Sequence, residues 1–261
     1  MKTTVIFIGI FALIFAYPAG AQDVQEIVKK ALHASYYQGK DGKAQVDMRI
    51  IDRQGRERRR RMTILRRNDS KTAGRQKYYV YFTAPSDVKK MTFMAWKNVD
   101  RGDDRWLYLP ALDLVKRIAG SDERTSFVGS HFFYEDVSGR NLEEDSHELI
   151  GEDDRYYKIK SIPKKPNSVE FASVTIWIDK QNFLPMKAEY TNENGDIYRT
   201  YTAQKVEVID GYPTVILAQM EENLSGGKTV LHYSDIKYDV GLPENIFSER
   251  FLRRPPLTQL R

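Results

Sequence analysis

Five acids, Glu135, Asp136, Glu143, Glu144 and Asp145, lie close together in the sequence, with His147 just beyond them. Paired carboxylates beside an imidazole could act as general acid and base in a hydrolase, provided that a second catalytic group stands at a matching spacing. None does. HELIG, beginning at His147, lacks the second histidine that a zinc-protease helix needs, and His33, His131 and His232 are scattered. The stretch NVDRGDD, residues 98–104, clusters Asp100, Asp103 and Asp104 in the manner of a calcium loop. Its Gly102 is at the wrong offset for an EF-hand, so a solvated hairpin tip is the expectation. No nucleophile elbow, phosphate-binding loop or dinucleotide fingerprint occurs. The chain reads as a non-enzyme with no catalytic residue, no metal and no cofactor.

Two further clusters suggest binding. RERRRR spans residues 56–61. On a strand, Arg58 and Arg60 share one face, and Arg59 and Arg61 share the other. All four are candidates for docking on anionic headgroups or an acidic partner, against the plainer reading of a solvated hairpin rim. A formal net charge of +5 over 261 residues does not favour nucleic acid. The second cluster is SFVGSHFFYEDVSGR, residues 126–140, which places Phe127, Phe132, Phe133 and Tyr134 in a stretch broken by glycines and acids. So many aromatics in a connection require an apolar surface to cover.

That surface comes from the surrounding elements. Val24, Ile27, Val28, Ala31 and Leu32 recur at three- and four-residue spacing and mark one helix near the N-terminus. After Gly39 the pattern changes to period two, with Gln54-Gly55, Asn194-Gly195, Asp210-Gly211 and Gly226-Gly227 as turns, and it persists to about residue 238. Tight turns join neighbouring strands antiparallel. Val174, Ile176 and Ile178 alternate with Thr175, Trp177 and Asp179, which fits one curved sheet with an apolar concave face. A single helix cannot cover such a sheet, so residues 119–144 are expected to lie over it as a lid, either as a movable gate or as a permanent plug. Trp96, Trp106, Tyr108 and Trp177 on the strands, with Phe127, Phe132 and Phe133 from the lid, are the candidate cavity residues.

At the N-terminus, Lys2, the apolar run Val5 to Ala16 and the small residues Ala19-Gly20-Ala21 read as a secretory signal peptide, too short to span a bilayer. Residues 22–261 are expected to form one exported, soluble domain. The sequence contains no cysteine, so neither a disulfide nor a lipidated cysteine is available.

RWLYLPALDLVKRIAGSDERTSFVGSHFFYEDV, residues 105–137, resembles the outer membrane lipoprotein-sorting protein family, as does the ending YDVGLPENIFSERFLRR, 238–254. Val128 stands where that family usually has Met, and His131 where it often has Asp. The family is similar in fold to the lipoprotein carrier LolA and receptor LolB. The resemblance implies a mainly β chain folded as an unclosed antiparallel half-barrel, here of about 11 strands, with an N-terminal helix and a lid over an apolar cavity. It also implies periplasmic carriage of a lipid or lipoprotein acyl chain, with transient membrane contact and a possible inner-membrane exporter of the RND/MMPL type as partner. The competing readings are a periplasmic adaptor that docks on an exporter without carrying lipid and, less favoured, a hydrolase.

Overall fold

The computed structural model describes residues 20–69, 74–119, 122 and 124–261. The expected leader, 1–21, lies outside them except for its last two residues, which open helix α1, Gly20–Leu32. In α1, Val24, Ile27, Val28 and Ala31 are buried, the stripe that helical spacing requires. A π-helical turn, His33–Tyr37, leads from it into the sheet.

The first run of strands is β1 (Asp41–Ile51), β2 (Glu57–Asn68), β3 (Gln76–Ala84), β4 (Thr92–Lys97), β5 (Asp104–Leu109) and β6 (Leu114–Ile118). The second is β7 (Asp145–Glu152), β8 (Tyr156–Pro163), β9 (Ser173–Asp179), β10 (Pro185–Thr191), β11 (Ile197–Ile209), β12 (Tyr212–Glu222) and β13 (Lys228–Tyr238). They form one thirteen-stranded sheet in the order β6-β5-β4-β3-β2-β1-β13-β12-β11-β10-β9-β8-β7. Each neighbouring pair is antiparallel. The count exceeds the expected eleven because every alternating segment is enlisted, down to the five-residue edge strand β6.

Strand order explains the aromatic connection. β6 and β7 follow one another in the chain yet form opposite edges of the open sheet. The segment between them must cross the sheet, and it does so over the concave face. There Phe127, Phe132 and Tyr134 join Val46, Met48, Ile50, Tyr78, Val80 and Phe82 in the largest core cluster. Helix α1 covers the other half, against Ile159 and Ile178.

The opposite face of β2–β5 is covered as well. Leu65, Tyr79, Met94 and Trp106 pack against Leu242, Ile246, Phe247, Leu252 and Leu260 of the C-terminal segment, which includes α3 (Arg250–Arg253) and α4 (Leu257–Leu260). Buried Asp41 fixes the start of this segment by accepting from the amides of Val240, Gly241 and Leu242 at 2.8, 3.2 and 2.8 Å. The Trp96 indole donates to the Phe247 carbonyl at 2.9 Å, and the Tyr79 hydroxyl to that of Phe251 at 2.6 Å. Strands covered on both sides lose their polar alternation: five of the six residues of β4 are buried.

Candidate functional site: a cavity beneath the crossing segment

Between the concave face, α1 and the crossing segment lies a cavity of about 420 Å³, within the roughly 300–1,000 Å³ typical of small-ligand sites. Met48, Met62, Ile176, Ile178, Met220 and Leu231 supply much of its apolar wall, and Phe127 and Phe132 reach it from the crossing segment. Val128 and Gly129 both take left-handed backbone, with φ of 54° and 76°. This tight turn brings the Phe127 amide to the Phe132 carbonyl at 2.7 Å, and both rings enter the core. A β-branched residue at positive φ is strained, a cost of about 1–3 kcal/mol that the surrounding packing must hold.

The crossing segment is also held by buried polar contacts. Its short helix α2, Tyr134–Ser138, carries Asp136, which accepts from the Phe133 amide at 2.7 Å and from Arg199 of β11 at 3.0 Å. The Arg199 guanidinium lies between the rings of Phe133 and Tyr190, at 4.0 and 4.1 Å. Arg140 bridges Glu135 and Asp145 at 2.9 and 3.0 Å. Buried Lys97 donates to the Gly139 carbonyl at 2.6 Å, and burial holds its ammonium below the usual lysine range. Gly139 has φ +76° and faces the Tyr36 ring so closely that a Cβ would lie 2.7 Å from it. His131 binds Thr229 of β13 through its amide at 3.0 Å and Nδ1 at 2.8 Å. Burial, then the neighbouring Arg58, push the His131 pKa down.

The candidate cavity residues separate into two groups. Phe127 and Phe132 line the cavity, while Phe133 sits beside it over Arg199. Trp96, Trp106 and Tyr108 lie on the opposite face, against the C-terminal segment. Trp177 is also outside, with the Lys158 and Lys187 ammonium groups 5.0 and 4.8 Å from its ring. Their placement on the cavity wall is therefore corrected. On β4 and β5 the double-sided burial hid which residues turn inward; on β9 the alternation against Ile176 and Ile178 already set Trp177 apart. Arg199, Arg140, Lys97 and the wall tyrosines were missed, because isolated polar residues on scattered strands carry no local pattern.

The four arginines do not form one patch. Arg59 and Arg61 point outward and share Asp47, at 2.6 and 3.4 Å. Arg58 donates to the Gly129 carbonyl at 3.2 Å, and Arg60 is buried and paired with Asp87 at 3.2 Å. The faces match the expected alternation, but two of the four serve the fold. Changing Arg59 and Arg61 to Gln should move stability by less than about 0.5 kcal/mol, whereas Arg60→Gln should cost about 1–3 kcal/mol; urea unfolding of the two variants checks this.

Tyr36, Tyr78, Tyr190, Tyr201 and Tyr233 are among the tyrosines that face the cavity. Burial raises the pKa of each, that of Tyr233 to about 12. In the unfolded chain they ionise near pH 10, so their stabilising contribution is intact below that pH and is lost as pH rises towards the folded values. Stability should fall above about pH 10, by about 1.4 kcal/mol per pH unit for each proton released only on unfolding. Denaturant unfolding between about pH 9 and pH 12 should show this loss, and Tyr233→Phe should reduce its slope.

His147 also lines the cavity, with Nδ1 2.7 Å from the Ser161 hydroxyl and Nε2 3.1 Å from the Leu142 carbonyl. Both ring nitrogens are thus engaged in cross-strand and loop contacts. Among the described residues, no group of three or more His, Asp or Glu is placed to hold a metal. Nor is any of their helices long and apolar enough to cross a membrane.

A family model described as "Uncharacterized protein" matches residues 74–254, more than half of the chain. No curated protein matches the sequence. Among solved structures, a DUF1329 family protein from Desulfovibrio piger is similar at 25% identity and a TM-score of 0.82, over 89% of this chain and 99% of that one. A putative outer membrane lipoprotein-sorting protein domain from Vibrio parahaemolyticus is similar at 27% identity and a TM-score of 0.81, over 90% and 100%. A LolA superfamily protein from Nitrosomonas europaea shares the fold at 24% identity and a TM-score of 0.67, over 90% and 100%. The unclosed sheet with its N-terminal helix is a LolA-like fold.

Proposed function

We propose that this chain, which belongs to the family matched over residues 74–254, is a periplasmic carrier that shields an acyl chain of a lipid or lipoprotein while it passes between membranes. The observation that carries the reading is the cavity of about 420 Å³ enclosed by the concave sheet, α1 and the crossing segment. Its mostly apolar wall favours a hydrocarbon chain over a hydrated ligand, because each buried methylene contributes about 0.8 kcal/mol. The similarity to the putative outer membrane lipoprotein-sorting protein domain from Vibrio parahaemolyticus gives the reading further support. Phe127 and Phe132 would border the chain, and Arg59 and Arg61, which point outward and share Asp47, are the part of the basic run proposed to meet an anionic surface. Cooperation with an inner-membrane exporter belongs to the proposal through the sequence resemblance alone.

Native mass spectrometry and lipid extraction of protein recovered from the periplasm test the reading. A co-purified amphiphile released on unfolding is the expected result. An empty protein that takes up no amphiphile yet holds a stable partner would replace the carrier with an adaptor.

A further inference from the structure

A wall that only has to exclude water needs no hydroxyls, since Phe buries as much surface as Tyr without a polar group to desolvate. The six tyrosines on this wall therefore need a reason, and the Tyr238 hydroxyl has one in its bond with Thr214 at 2.9 Å. The hydroxyl of Tyr36 has one: it donates to the Asp136 backbone carbonyl at 3.3 Å and ties α2 to the N-terminal turn. The hydroxyl of Tyr78 does not. Tyr78 is 4% exposed, and its oxygen finds no hydrogen-bond partner among the described residues. A buried hydroxyl left without a partner is costly, so native folds rarely keep one without a use.

Beside it stands a cation that forms no salt bridge among the described residues. Arg66 also faces the cavity and stands directly opposite Tyr78 in the β2–β3 pairing, where its charge favours the ionised form of the Tyr78 hydroxyl. Its guanidinium donates to the Asn68 side chain at 3.0 Å and to the Gln38 carbonyl, both neutral acceptors. The other cavity arginines differ: Arg199 is paired with Asp136, and Arg140 with Glu135 and Asp145. The residue opposite Arg66 on β1 is Gly42. A Cβ there would lie 3.3 Å from the Lys237 carbonyl and 3.5 Å from both the guanidinium and the Tyr238 ring, so Arg66 packs against backbone at this point. Tyr233, on the strand beyond β1, adds a second hydroxyl near Tyr78.

We infer that Tyr78 and Arg66, with Tyr233 beside them, form a polar subsite that binds the carbonyl or carboxyl oxygen of the cargo's acyl group and so fixes which end of the chain lies there. The inference rests on the carrier reading and names the class of cargo: an acyl chain held by its oxygen end, not plain hydrocarbon. A protonated phenol donates to an ester, amide or carboxyl oxygen alike. The adjacent guanidinium adds more for a full negative charge than for a carbonyl dipole.

Dodecane, dodecanoyl glycerol and dodecanoate differ in that oxygen end alone, and titrating each into delipidated protein separates the outcomes. The expected result is that at least one oxygenated probe binds about 5-fold or more tightly than dodecane, and that Tyr78→Phe removes most of that preference. Tyr108→Phe, on the opposite face, should change nothing. Arg66→Gln separates the two sources: a loss of about 10-fold or more for dodecanoate with little change for the glyceride marks a fatty acid, and the reverse preference in the native protein marks an esterified lipid. Arg66 also holds the Gln38 carbonyl, so if Arg66→Gln does not fold, the Tyr78→Phe comparison decides. Equal binding of dodecane and both oxygenated probes, or an unchanged preference in Tyr78→Phe, overturns the subsite and leaves the carrier standing. Failure of all three probes to bind the native protein overturns the carrier reading and the subsite with it.

Discussion

Asp136→Ala should destabilise the protein by about 3–5 kcal/mol, the range for removing one partner of a buried ion pair. Arg199 is 2% exposed. Without Asp136 its charge would lie between the rings of Phe133 and Tyr190 and lose the carboxylate that it pairs with directly. The same substitution removes the acceptor of the Phe133 amide at the start of α2, so the crossing segment loses its tie to β11 and its own helix start together. The double variant Asp136→Asn with Arg199→Met should recover most of the loss, because a buried pair costs desolvation that an apolar replacement avoids. Urea unfolding of the Asp136→Asn and Arg199→Met single variants beside that double variant closes the cycle and measures the coupling. If Asp136→Ala costs less than about 1 kcal/mol, the pair is not what holds the crossing segment.

The sheet was legible because the alternation on β8, β9 and β10 is plain and the turns between strands are chemically explicit. The crossing segment was legible for a topological reason: it is the one long break in a series of hairpins, and such a break must carry the chain from one edge to the other. The opposite face of β2–β5 was not legible. Its cover comes from residues 239–261, distant in sequence, and burial on both sides removes the alternation that would show Trp96 and Trp106 turning outward. The polar part of the cavity was hidden for a different reason. Arg66 and Tyr78 stand opposite one another on β2 and β3, but Arg199 and Tyr233 reach the same cavity from β11 and β13, so no spacing within one segment could bring all four to it. The basic run shows both sides of this: alternation correctly divided its faces, but only Asp87 and Gly129 reveal that Arg60 and Arg58 are engaged in packing.

Phe127→Ala should cost about 3–5 kcal/mol, the range for truncating a fully buried Phe. The ring is 2% exposed. It meets Phe82, Phe93 and Tyr134 at centroid distances of 6.0, 5.5 and 5.3 Å, with edge-to-face contacts to the last two. It therefore joins β3 and β4 to α2 through aromatic pairs that each contribute about 0.5–1.5 kcal/mol beyond area burial. Phe133→Ala should cost less, because that ring is half-buried beside the cavity and stacks mainly on Arg199. The contrast bears on how cargo enters. A gate that swung open at Phe127 would have to give up core contacts worth a large part of the roughly 5–15 kcal/mol that stabilises a typical protein. On the carrier reading, the route proposed for cargo runs past α1 and the His33–Tyr37 turn, which lie over the sheet without belonging to it. Hydrogen exchange should accordingly show faster opening of the α1 amides than of those around Phe127, and added acyl ligand should slow the α1 amides most. Equal protection of both regions, or a Phe127→Ala variant as stable as the native protein, would return the gate to the aromatic segment itself.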